Sequence, residues 1–167
     1  VGKTTLLRFL QKEHPQLYTS DGFSRPLKQA YNSNKDKHFY SPLIEQEILN
    51  KLTEWRWLQD YNKPNCFYTR SIIDAIIYSK HYFPGLCDVS SLYESFHKHI
   101  SDVNVFYIPI ENDLEKDGIR FEDEKDRQQI DIEIQKFLVI HCNDFHIVKG
   151  NVAERAQIIY NTLKLKP

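Results

Sequence analysis

Short β-branched and aromatic runs alternate with longer amphipathic segments along this chain, and that order constrains the fold most. Strand-like runs are predicted at 16–19, 66–69, 103–108 and 145–148, the third being the richest in β-branched and aromatic residues. Between them lie helical periodicities. Leu6, Leu7 and Leu10 share one side of a helix over 4–12. Ser41-Pro42 reads as an N-cap with Pro at the first helical position, followed by an apolar stripe of Ile44, Ile48, Leu52 and Trp55. Further helices are expected over 71–82, 90–99 and 123–141, the last with Ile130, Ile134, Phe137 and Leu138. A final one opens on the capping-box-like pair Asn151 and Glu154. Strands alternating with helices argue for an α/β fold whose parallel sheet is covered on both faces. With no repeat, low-complexity tract or Gly/Ser linker, residues 1–167 read as a single domain.

Gly2-Lys3-Thr4 matches the end of the phosphate-binding pattern G-x-x-x-x-G-K-[ST]. The chemistry requires this order: glycine lets backbone N–H groups curl around phosphates, lysine reaches the β- and γ-phosphates, and the hydroxyl holds Mg²⁺. The predicted helix follows at once, so its N-terminus faces the same anion. The first glycine of the pattern falls before residue 1. The chain has no Met, and the expectation is an N-terminally incomplete P-loop domain whose first strand, the fifth of a parallel five-stranded sheet, lies upstream.

Two further segments follow predicted strands, where ligand groups gather in open α/β sheets. In the first, Asp21 suits proton acceptance from a substrate hydroxyl, or Mg²⁺ held through water, and Arg25 suits a phosphate or sugar. An Asx-turn and a solvated arginine are the structural alternatives. In the second, Thr69-Arg70-Ser71, Arg70 is the candidate cation. Thr69 stands where phosphoryl-transfer sites often carry an acid. Asp74 is one turn on, but Ser71-x-x-Asp74 also resembles a capping box.

Residues 111–127 form a polar, acidic stretch with Arg120 and Arg127 seven apart, nearly two helical turns. Two such cations closing over a transferring phosphoryl would stabilise its charge and exclude water, and the stretch is expected to be a lid; an ordinary solvated acidic loop is the alternative. Glu111-x-Asp113, then Asp117-Gly118-Ile119-Arg120, then Arg127 and a long helix, together with Gly2-Lys3-Thr4-Thr5-Leu6-Leu7, Ser24-Arg25, Arg70 with Asp74, and Gly150 with Glu154-Arg155, resemble one P-loop family. It is the AAA-type ATPase/kinase family that includes the ribosylnicotinamide kinase domain of a bacterial NAD-metabolism regulator and phage-encoded thymidylate- or nucleotide-kinase-like proteins. The resemblance implies a P-loop kinase core, ATP with Mg²⁺, and a small nucleoside or nucleotide acceptor. It places Gly2, Lys3, Thr4 and Thr5 on the ATP phosphates, with Thr4 on Mg²⁺, Arg120 and Arg127 in the lid, and Arg155 near the nucleotide base. Thr69 departs from the family, whose members tend to carry Asp there.

Composition removes several classes. Ten Phe and ten Tyr exclude a disordered chain, and no apolar run approaches a membrane span. A net charge of −1, without a basic stripe, argues against nucleic acid as a partner. Cys66, Cys87 and Cys142, odd in number and widely spaced, suit a reducing, cytoplasmic setting. The histidines show no metal-ligand spacing. Around Arg56, Trp55 is expected in the core and Trp57 along a substrate cleft. The function expected is phosphoryl transfer from ATP to a nucleoside or nucleotide, with a nucleotide-binding ATPase or switch acting on a protein partner as the alternative.

Overall fold

The computed structural model describes residues 2–20, 22–24, 26–27, 41–111 and 124–165. The expected alternation is present. Helix α1 (Lys3–Glu13) leads to β1 (Tyr18–Ser20), α2 (Pro42–Asp60), β2 (Cys66–Tyr68), α3 (Ile72–Tyr82) and α4 (Ser90–His99). A 3-10 turn (Ile100–Asp102) precedes β3 (Phe106–Tyr107), α5 (Glu124–His141), β4 (His146–Ile147) and α6 (Val152–Leu163). The helix ends obey local chemistry. Ser41 caps α2 by accepting from the Ile44 N–H, while Ser71 with Asp74 and Asn151 with Glu154 each complete a reciprocal capping box.

The sheet corrects one expectation. Among the described residues all pairing is parallel, but it forms two separate two-stranded sheets, β1 with β2 and β3 with β4, rather than one sheet of five. Each strand is only two or three residues long, because pairing stops where the chain turns into a helix or loop. The predicted strand at 103–108 shrinks to two paired residues for the same reason. Tyr18, Thr19 and Ser20 stand opposite Cys66, Phe67 and Tyr68, and Phe106 and Tyr107 opposite His146 and Ile147. Both pairs therefore end their strands toward the loops that carry the candidate residues.

Two apolar clusters hold the elements. One gathers Trp57, Ile72, Ile76, Leu92, Phe96, Ile130, Phe137 and Leu138 between α2, α3, α4 and α5. The other packs α1 and α6 through Leu6, Leu10, Ala156, Ile159 and Tyr160, with Leu17 and Val148 beneath. Leu10, Phe96 and Val148 are almost fully buried, and truncating Leu10 to Ala would cost about 2–5 kcal/mol through lost contacts and a cavity.

Helix α2 reverses the expected face. Its buried residues are Gln46, Asn50, Arg56, Trp57 and Asp60, whereas of the expected stripe Ile48 and Leu52 are half-buried and Ile44 and Trp55 exposed, Trp55 by 60%. A polar chain of bonds fixes this rotation. Gln46 Nε2 donates to Asn50 Oδ1 at 2.9 Å, and Asn50 Nδ2 donates to the buried Ser79 Oγ of α3 at 2.7 Å. Trp57 is buried, where it also lines a small cavity with Arg56, Tyr68, Arg70 and Ser71, and its Nε1 donates to the Ser95 carbonyl at 3.0 Å. Partnered polar groups outcompete the apolar stripe for the interior here.

Candidate functional site

Gly2 precedes α1 with φ 103° and ψ −8°, the left-handed region that glycine enters without strain. Gly2 has no side chain with which to cap α1, and the helix start has the backbone geometry that suits an anion. The expected Gly2-Lys3-Thr4 start is therefore a glycine turn feeding directly into a helix. Lys3 is partly exposed at 41%.

This start touches the ends of both strand pairs. On the β2 side, Lys3 Nζ lies 3.9 Å from Asp74 Oδ1. Arg70, two residues beyond β2, donates from Nη1 to the same oxygen at 3.2 Å, and its guanidinium lies 5.2 Å from the ring centre of Tyr78. The other oxygen of Asp74 accepts from the Ser71 backbone N–H at 2.8 Å and from the Ser71 hydroxyl at 3.3 Å. Burial alone would push this carboxyl up. Lys3, Arg70 and the Ser71 hydrogen bonds outweigh it and hold Asp74 below the usual carboxylate range. Asp74 is thus both the N3 partner in the capping box of α3 and an ionised partner of Lys3.

On the β4 side, Arg155 of α6 is buried, and its Nη1 would lie 2.8 Å from a β-carbon placed on Gly2. Its Nη2 pairs closely with Glu111 Oε2. Glu111, which follows β3, also accepts from the Gly150 N–H at 3.0 and 3.2 Å. The Gly150 hydrogen bond, then Arg155, holds the Glu111 carboxyl below its ordinary range. The loops after β3 and β4 are thereby tied to Gly2.

The ends of β1 and β2 are joined by a residue that sequence reasoning did not single out. Arg56 of α2 is only 4% exposed. It donates from Nη1 to Ser20 Oγ at 3.2 Å and from Nη2 to the Arg70 carbonyl at 2.8 Å. Its guanidinium lies over the rings of Phe23 and Tyr68, 4.8 and 4.9 Å from their centres. Burial lowers its pKa, opposed by Tyr68 and Asp60. A β-carbon on Gly22 would fall 2.7 Å from Arg70 Cγ, so this glycine admits the Arg70 stem against the backbone. The available signal for Arg56 was its place on the same turn as Trp57, the side of α2 that the polar chain turns inward.

The structure brings together Gly2, Lys3, Arg70, Asp74 and Arg155. Thr4 and Thr5 stand in the first turn of α1, and Thr69 donates its N–H to the Ser20 carbonyl at 3.2 Å, closing the β1–β2 end. Arg127 lies in the first turn of α5 and donates to Glu124 at 3.1 Å. Asp21, Arg25 and Arg120 lie outside the described residues, as does 112–123 of the expected lid. Among the described residues no helix is long and apolar enough to cross a membrane.

A known family, the AAA domain, matches residues 1–155, and the chain belongs to it. No curated protein and no solved structure matches. A P-loop AAA domain is a nucleotide-binding fold, and the mixed α/β architecture with its glycine turn at α1 agrees.

Proposed function

We propose that this AAA-domain chain transfers the γ-phosphoryl of ATP to a small nucleoside or nucleotide. The observation that supports this most is the double contact at the start of α1: Lys3 reaches Asp74 beside Arg70, and Gly2 packs against Arg155. The donor set suits ATP phosphates with Mg²⁺, since a left-handed glycine at a helix start, a lysine and two threonines occupy consecutive positions. When bound, ATP supplies the activated phosphoryl and Mg²⁺ shares its charge. Lys3 and the α1 N-terminus hold the phosphates, Thr4 supplies the metal-facing hydroxyl, and Thr5 continues the same turn. Arg155, locked to Glu111, braces Gly2 and the nucleotide side of the loop. Asp74 provides the carboxylate that Thr69 lacks. Arg70 and Arg25 orient the acceptor, Asp21 accepts its proton, and Arg120 and Arg127, as residues of a 111–127 lid, close over the transferring phosphoryl. On this reading the protein works in the cytoplasm.

A pair of acceptor-side arginines suits an anionic or hydroxyl-rich acceptor better than water. The test offers ATP·Mg²⁺ with nucleosides, nucleoside monophosphates and nicotinamide riboside, and measures ATP consumption beside phosphorylated product. Acceptor-dependent product supports the kinase. Hydrolysis without acceptor dependence, or tight ATP binding without turnover, supports a nucleotide switch acting on a protein partner, the reading that Thr69 favours.

A further inference from the structure

One oxygen carries two cations here. Asp74 Oδ1 lies 3.9 Å from Lys3 Nζ and 3.2 Å from Arg70 Nη1, while Oδ2 is pinned by the Ser71 N–H and hydroxyl at the start of α3. The carboxylate therefore cannot swing to give each cation its own oxygen. Two like charges on one acceptor repel each other and dilute its attraction for both. Lys3 belongs to the phosphate-binding turn and Arg70 to the loop after β2, so the shared atom lies between two half-sites.

We propose that Asp74 is a positioning residue that couples nucleotide binding to the ordering of Arg70. This rests on the nucleotide reading above and adds a direction to it. Phosphates at the start of α1 draw Lys3 away from Oδ1. Arg70 then has a larger share of that oxygen and loses a repelling neighbour, so its guanidinium becomes fixed. Its stem is already confined by Gly22, its carbonyl by Arg56 and its guanidinium face by Tyr78, and its tip reaches Asp74 through Nη1. Donor binding thus prepares the acceptor-side arginine, and by linkage a group that fixes Arg70 would strengthen nucleotide binding to the same degree.

The test follows the Arg70 Nε–Hε signal by ¹⁵N NMR in the full chain, with the signal identified by its loss in Arg70→Lys. The probe is the Mg²⁺ complex of the non-hydrolysable analogue AMP-PNP, and binding is measured separately by calorimetry. In the wild type, saturation should slow exchange of this proton with water about fivefold or more, the low end of ordinary site-to-site coupling. Lys3→Ala should show the slow exchange without nucleotide, because the competing cation is gone. Asp74→Asn should bind the analogue with no response at Arg70. Binding with an unchanged Arg70 signal overturns the coupling and leaves the nucleotide reading standing. No binding by the wild type overturns both. If Asp74→Asn does not fold, Lys3→Ala decides alone, since wild-type exchange in that variant overturns the proposal.

Discussion

Asp74 carries acid sensitivity as well as position. Its folded pKa is depressed, so it contributes stability that is complete above the unfolded value near about pH 4 and is lost as the pH falls through the folded value. Asp74→Asn should therefore flatten the acid limb of stability, as read by urea unfolding from about pH 6 down to about pH 3. A limb as steep as the wild type's would show that other carboxylates govern it. Ser71→Ala removes the companion cap, and should cost about 1 kcal/mol at neutral pH. Arg56 offers a different experiment. Arg56→Lys keeps the charge but loses the fork that spans Ser20 and the Arg70 carbonyl. The expected loss is about 1.5–3 kcal/mol, that of one hydrogen bond to a charged group, measured by denaturant unfolding.

At the scale of elements, α2 makes the sharpest contrast. Trp57→Ala should destabilise by about 3–5 kcal/mol, whereas Trp55→Ala, on the exposed face, should stay within about 0.5 kcal/mol. Equal effects in thermal unfolding would argue against the rotation described. This helix also marks where sequence reasoning stopped. Periodicity located α1 and α5 and their buried residues, because Leu6, Leu10, Ile130 and Phe137 need only an apolar neighbour. Both capping boxes were legible because caps are local. On α2 the deciding partner, Ser79, stands 29 residues from Asn50, and a tertiary hydrogen bond leaves no periodic trace. Arg56 was legible only as a basic residue between two tryptophans for the same reason, as its acceptors are on β1 and beyond β2. The strand runs were visible, but strand pairing is long-range, so a run of six residues did not reveal that only two would pair.

For the molecule as a whole, the start of α1 is the point where the two halves meet. Its packing joins the α1–α6 cluster, while Lys3 reaches the loop after β2 and Gly2 meets the arginine tied to the loops after β3 and β4. Under the nucleotide reading, AMP-PNP with Mg²⁺ should slow amide exchange together at Thr69–Ser71 and at Gly150–Asn151, as followed by hydrogen exchange. Protection confined to one of these loops would show that α1 does not join them.

The closeness of Gly2 and Arg155 has a consequence for how such a chain can change over generations. Any side chain at position 2 would intrude on the guanidinium and also strain a backbone at φ 103°. Shortening residue 155 would make room but strand Glu111, whose carboxylate also holds the Gly150 amide. Positions 2, 111 and 155 therefore form a linked locus. Single drift at any one of them is penalised, and viable descendants either keep all three or replace them in concert, so a library randomised at these positions should yield folded survivors as matched triplets rather than as independent choices.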